Sequence, residues 1–264
     1  MTHSITLGPR LQMVASLVPA GARLGDIGTD HAYLPIALCE AGKLSKAVAI
    51  DVHAGPFQSA VAAVSGRQLE QIVDVRLGDG LMPLKAGEVN VLTFAGMGGK
   101  TMLEILAARP DVLESVTDLI VQPQGGESAL RLTLLQAGWC LKTEQLVKEE
   151  GLIYTVMAFA RNNGWNMTDL TLKERLWQQR LRPQAIESGF SAGFPQIIEQ
   201  LVWHFGPLVL EERTDLLREY LGDYKMMLKR RLEQMKRSGK TEVMEKIKNV
   251  SEELVLVEGM RTWQ

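Results

Sequence analysis

The chain has 264 residues, 46% hydrophobic and 23% charged, with a formal net charge of -2. That is the make-up of an ordinary folded protein with room for a sizeable core; it excludes a disordered chain and one drawn to a polyanion by overall charge. Two cysteines, Cys39 and Cys140, stand far apart without CxxC spacing, which argues against a disulfide framework or a zinc site and fits a reducing, cytoplasmic setting.

Leu11, Val14, Ala15 and Val18 fall at helical spacing in residues 9 to 18, and Pro19 and Gly21 end that helix. The stretch has no uninterrupted apolar core of a signal peptide, and no run reaches membrane-spanning length, so no membrane partner is expected. Apolar runs at 22 to 27, 47 to 52, 73 to 77, 89 to 95 and 118 to 123 then alternate with helical patterns at about 31 to 41, 56 to 66, 98 to 108 and 126 to 137. Strands alternating with helices require right-handed crossovers, so the expected fold is α/β with a parallel, doubly wound sheet. Residues 139 to 161 hold two β-rich runs joined by a polar Lys-Glu-Glu-Gly turn, an antiparallel hairpin closing one edge. Such an edge hairpin is more typical of the methyltransferase version of the Rossmann-like fold than of dehydrogenases.

The run Arg-Asn-Asn-Gly-Trp-Asn at 161 to 166 marks a boundary, giving one domain at 1 to 162 and a helical one at 163 to 264. In the second, Leu217, Leu221, Tyr224, Leu228 and Met235, and then Val243, Ile247, Val250, Leu254 and Val257, keep heptad-like steps on either side of Ser238-Gly239. They are expected to fold back as an antiparallel helical hairpin with a coiled-coil seam, which packs on the rest of the chain or on a second subunit. Between Lys225 and Lys240 seven basic residues, Lys229, Arg230 and Arg231 among them, face a single acid, Glu233. Most such runs are solvated helix faces; this one is also the best candidate for a phosphate-backbone contact.

The expected ligand crevice lies at the carboxyl ends of the parallel strands. Strand one ends in Asp26-Ile27-Gly28-Thr29-Asp30-His31. Gly28 permits the tight turn, but Asp30 and Tyr33 stand where a dinucleotide fingerprint needs further glycines, and a carboxylate there repels a diphosphate. It suits a cation without phosphate, such as S-adenosylmethionine. Strand two ends at Asp51, 23 residues after Gly28, placed to accept from ribose hydroxyls. Asp79 and Gly80 follow strand three, an acceptor and a gap for an adenine ring, and Ala95-Gly96-Met97 ends strand four in a glycine-rich loop. Each acid taken singly is equally a turn or cap residue; the ordered set is the specific signal.

At these residues the chain resembles the bacterial tRNA adenine-N1 methyltransferases that modify adenine 22, the TrmK family. The matching stretches are DIGTDHAYLP at 26 to 35, Gly55-Pro56, GDGL at 78 to 81, AGMGG at 95 to 99, LIVQP at 119 to 123 and FGPLVL at 205 to 210. The chain departs from the family with Thr29 for Ser, Asp51 for the usual Glu and Gln124 for Asn, and residues 162 to 204 match poorly. The resemblance implies a class I methyltransferase domain followed by a coiled-coil domain, with S-adenosylmethionine as donor and tRNA as acceptor.

No Asn/Asp-Pro-Pro-aromatic clamp for an exocyclic amine follows strand four, and an adenine ring nitrogen needs none, because its lone pair lies in the plane. Methylation leaves a cationic base, so Asp30 is the candidate catalytic carboxylate, as stabiliser or base; the alternative is an N-cap of the first crossover helix, which His31 is expected to begin. Asp26, Gly28, Asp30, His31, Asp51, Asp79, Gly80, Ala95, Gly96 and Met97 make up the expected cofactor site. Gln122 and Pro123 end strand five, where Gln122 either orients the target base or satisfies loop backbone. Tyr33 either stacks on a base or packs in the core, the latter being favoured. No metal is called for. Two rival functions remain: a methyltransferase acting on a small molecule or protein, and a non-catalytic RNA-binding protein with a vestigial pocket.

Overall fold

The apolar runs of the first half become strands β1 (Ala22–Ile27), β2 (Leu44–Asp51), β3 (Val73–Leu77), β4 (Val91–Met97) and β5 (Asp118–Pro123), followed by β6 (Cys140–Glu149) and β7 (Leu152–Ala160). The computed structural model describes residues 5–190, 193–238 and 244–263. The strands form one sheet of order β3-β2-β1-β4-β5-β7-β6. The first five pair in parallel, and β7 runs antiparallel to both β5 and β6. Glu150 and Gly151, both at positive φ, make the tight turn between β6 and β7, the backbone that matches the twist of a hairpin. Helices α1 (Pro9–Leu17), α2 (Tyr33–Glu40), α3 (Ala54–Ser65), α4 (Gly99–Ala108), α5 (Pro110–Leu113) and α6 (Glu127–Gln136) lie between and before the strands. Central strands read as unbroken apolar runs because both faces are covered: Leu24, Ala49, Leu92 and Ile120 are fully buried.

At their far ends β2 begins three residues before its expected start and β4 two residues after its own; two further differences lie at the crevice. The first crossover helix starts at Tyr33, not His31, because Asp30 and Ala32 adopt left-handed backbone at φ 53 and 56 and no helix continues through such residues. Strand β4 runs two residues further, through Gly96 and Met97, past a register shift that leaves Gly96 bulged.

The chain divides into two compact units, Met1–Asn166 and Met167–Gln264. The second holds α7 (Met167–Glu187), α8 (Phe194–Phe205), α9 (Val209–Glu212), α10 (Asp215–Ser238) and α11 (Met244–Thr262). Leu217, Leu221 and Leu228 of α10 and Val250 and Val257 of α11 are buried along the expected seam. The two helices run antiparallel, with Tyr224 Oη donating to Glu253 at 2.5 Å and Lys225 Nζ paired with Glu258 at 2.6 Å. Helix α11 does more than a two-stranded seam requires. Leu256 and Met260 are also buried, α11 packs on α7 and α8 as well as on α10, and Gly259 lies where a Cβ would stand 2.8 Å from Leu181 Cδ2. Helix α10 is described through Ser238 of the expected break; Gly239, with Lys240 of the basic run and Val243 of the seam, lies outside the described residues. No helix among the described residues is long and apolar enough to cross a membrane.

Candidate functional site

Two strand-end carboxylates hold the first loop. Asp26, 5% exposed, accepts from Thr29 Oγ1 at 2.6 Å and from Thr93 Oγ1 at 2.7 Å. Burial pushes its carboxyl up from the ordinary aspartate range, partly offset by the Thr29 and Thr93 hydroxyls, while the nearby Asp51 charge adds to the rise. Asp51 is also buried and accepts two backbone N–H groups, from Asp30 at 3.1 Å and from His53 at 2.9 Å. A carboxylate offers about four acceptor positions, so each acid keeps capacity for a ligand. The loop these acids hold presents Asp30 with its side chain 69% exposed and His31 Nε2 3.5 Å from its carboxylate. Asp30 is therefore no helix cap, since the residue before α2 is Ala32. Tyr33 is not core: it is 45% exposed and stacks on His31, ring centroids 5.1 Å apart. Starting the helix at Tyr33 turns that first side chain outward.

On the other side of the switch point, the bulged Gly96 has φ +83 and donates its N–H to Gln122 Oε1 at 3.0 Å. Gln122 is fully buried; its Oε1 also accepts from Arg10 Nη1 at 2.7 Å and its Nε2 donates to the Pro123 carbonyl at 2.8 Å. Of the two roles open to Gln122, the geometry is that of satisfying loop backbone. Arg10 in turn pairs with Glu149 at 3.1 Å. Sequence reasoning missed Arg10: an arginine after Pro9 in a short helix carries no motif, and its partners are 112 and 139 residues away. The loop after β4 is packed backbone to backbone, Gly99 N–H donating to Gly125 O at 2.9 Å and Gln124 N–H to Met97 O at 2.9 Å. Gly28 is required by the turn, at φ +74; a Cβ there would meet only the movable Met97 Cε methyl, at 2.9 Å.

These loops surround two cavities that share Gly28, Ala95 and Gly96. One, of about 410 Å³, is lined by Asp51, Asp79, Gly80 and Met97 with the apolar Ile50 and Ile105. Gly80 makes room there, since a Cβ would fall 2.6 Å from Ile105 Cγ2. The other, of about 300 Å³, is lined by Asp26, Asp30, His31, Tyr33 and Gly96, together with Arg10 and Gln124. Gln122 and Pro123 lie behind these walls, in neither lining. Lys229, Arg230 and Arg231 belong to the second unit, exposed on α10. Among the described residues no group of three or more side chains is placed to hold a metal.

A parallel sheet closed by an antiparallel hairpin, with an acid-lined crevice at the point where strand order reverses, defines a class I methyltransferase. A family model described as "Methyltransferase domain" matches residues 7–157, and the chain belongs to that family. Within it the chain is 39% identical over 155 residues to the Bacillus subtilis tRNA (adenine(22)-N(1))-methyltransferase, a match covering 59% of this chain and 65% of the relative. The chain thus spans a little under two thirds of the length of that curated relative. In three dimensions it is similar to the crystal structure of the B. subtilis M1A22 tRNA methyltransferase TrmK, at 28% identity and TM-score 0.75, covering 97% of this chain and 99% of the other. It is likewise similar to Streptococcus pneumoniae Sp1610 in complex with S-adenosyl-L-methionine, at 31% identity and TM-score 0.70, covering 93% and 98%.

Proposed function

We propose that this chain transfers a methyl group from S-adenosylmethionine to N1 of adenine 22 in tRNA. The observation that carries the reading is the set of four carboxylates, Asp26, Asp30, Asp51 and Asp79, around two adjoining cavities. Such a set repels a diphosphate and suits a cationic donor. In this reading Asp51 uses its remaining lone pairs for the ribose hydroxyls, Asp79 and Gly80 receive the adenine with Met97 against the ring, and Asp26 faces the ammonium beside Gly28. Bound there, S-adenosylmethionine supplies a methyl group on a positively charged sulfur. The target base enters beside Asp30, His31 and Tyr33, whose stacked rings offer it a platform, and Ala95-Gly96 keeps the space between base and donor free of side chains.

Adenine N1 attacks with its in-plane lone pair, and the positive charge that leaves the sulfur appears on the base. Asp30 stabilises that charge, or accepts a proton from the product. N1 lies on the pairing edge, so the base must first be drawn out of its helix. Residues 1 to 162 supply donor binding and chemistry, and the helical domain from 163 holds the RNA backbone through Lys229, Arg230 and Arg231, in a cytoplasmic setting. The test is nucleoside mass spectrometry on unmodified tRNA incubated with protein and S-adenosylmethionine: 1-methyladenosine at position 22 is expected. Saturable donor binding without methylation of tRNA would transfer the activity to a small-molecule or protein acceptor.

A further inference from the structure

The second unit contains a cavity of its own, of about 470 Å³, between α7, the start of α10 and the end of α11. Its floor is apolar, Leu217, Leu221 and Met260, and Trp177 and Trp263 stand in its wall, edge to face with centroids 5.2 Å apart. Three arginines, Arg213, Arg218 and Arg261, and two hydroxyls, Thr214 and Thr262, also line it. Arg218 pairs with the exposed Asp215, and Arg261 with the half-buried Glu258 at 3.0 Å, which Lys225 also holds. Arg213 has no carboxylate partner among the described residues; its guanidinium lies 3.7 Å from the centroid of Trp263. The same ring carries Arg180 at 4.1 Å, so two cations flank one indole and only Arg180 is neutralised, by Glu211 at 2.8 Å. Arg213 also sits at φ +50 after α9, a conformation natural to glycine and costly for a long side chain. Trp177, 1% exposed, holds its Nε1–H buried without an acceptor among the described residues.

An apolar floor, aromatic walls and an uncompensated guanidinium at the rim make a site for a ligand that is flat at one end and anionic at the other. We infer that this cavity takes a single unstacked nucleotide of the acceptor RNA, its base against the aliphatic floor and its phosphate on Arg213, with Arg218 and Arg261 beside it. The source as RNA rests on the tRNA reading proposed above; the nucleotide chemistry rests on the cavity alone. Such a site anchors the substrate through a nucleotide other than the reacting one.

The test uses the full chain with labelled tryptophans. Adenosine 5′-monophosphate should shift the Trp177 and Trp263 indole N–H signals saturably, and adenosine, which lacks the phosphate, should bind about tenfold more weakly. Arg213→Gly removes the guanidinium at a backbone angle that glycine adopts freely, and Arg261→Gln gives a second variant in another element. Each should weaken the monophosphate, and Arg213→Gly should raise KM for tRNA about fivefold with kcat unchanged. Equal binding of adenosine and its monophosphate, or unmoved indole signals, overturns the site. Loss of monophosphate binding with an unchanged KM for tRNA makes the occupant a free nucleotide and overturns the RNA anchor. Wild-type protein that methylates no tRNA refutes the proposed function and the RNA source together, whereas the indole shifts report on the cavity independently.

Discussion

Asp30 stands at φ 53, a left-handed conformation that Asp and Asn tolerate better than other side chains. Asp30→Asn therefore keeps the loop and removes only the charge; turnover should fall by about 10²- to 10⁴-fold with donor affinity preserved, as calorimetry and steady-state kinetics will show. Unchanged turnover would take Asp30 out of the chemistry. Asp26 makes a different demand, because its carboxyl is pushed up by burial. A raised carboxyl favours the protonated form in the fold, so its stabilising contribution is full below the unfolded value and lost as pH rises through the folded one. A cationic donor needs the ionised form. Donor affinity should therefore weaken as pH falls through the raised value, with proton release on binding visible as a buffer-dependent heat; Asp26→Asn should flatten that dependence. Arg10 acts through Gln122 and Gly96, so Arg10→Ala should raise KM for the donor and be partly rescued by Arg10→Lys, which a loss confined to stability would not produce. Asp26, Asp51 and Asp79 were legible in the sequence because each lies at the end of an apolar run, and Asp30 because it stands where a dinucleotide loop needs glycine. The roles of Arg10 and Gln122 were not, since a hydrogen bond made 112 residues away leaves no local pattern.

At the scale of elements, hydrophobic period and turn chemistry located the strands to within a few residues, and Val73–Leu77 and Asp118–Pro123 fall where their apolar runs begin and end. The starts of β2 and β4 were misplaced by two or three residues, and the errors that matter for the site sit at the crevice. Left-handed Asp30 and Ala32 delay α2, and the Gly96 bulge prolongs β4; in both places contacts with neighbouring strands override the local preference of the chain. The junction of the β4 and β5 loops offers a direct test. A Cβ on Gly99 would stand 2.8 Å from Gly126 O and 3.1 Å from Gly125 O, and backbone oxygens cannot step aside as a flexible side chain can. Gly99→Ala should cost about 1–3 kcal/mol in thermal unfolding and weaken donor binding, because the loop that carries Gly96 and Met97 moves with it. An unchanged melting temperature would show that the two loops are not packed as described.

For the whole molecule, the basic face of α10 is the element whose purpose the methyltransferase unit does not explain. Lys225 is already committed to Glu258, whose carboxyl is held down at about 2 by Arg261 and Lys225; Lys229, Arg230 and Arg231 are exposed. Replacing those three with Ala should weaken tRNA binding and reduce the slope of log affinity against log salt by about 2 to 3, with donor binding untouched. Identical slopes would leave the face a solvated one. Sequence alone determined the alternation of strands and helices, the edge hairpin, the acids at successive strand ends and the absence of a phosphate loop, because periodicity and turn chemistry are written in neighbouring residues. Tertiary structure decided which of those acids are buried and bonded, as Asp26 is to Thr93 67 residues on. It also brought Arg10 to the crevice and gave α11 a second buried face against α7 and α8. Those outcomes depend on which distant segments the sheet order and the helical packing bring together, and no local stretch of chain encodes its far partner.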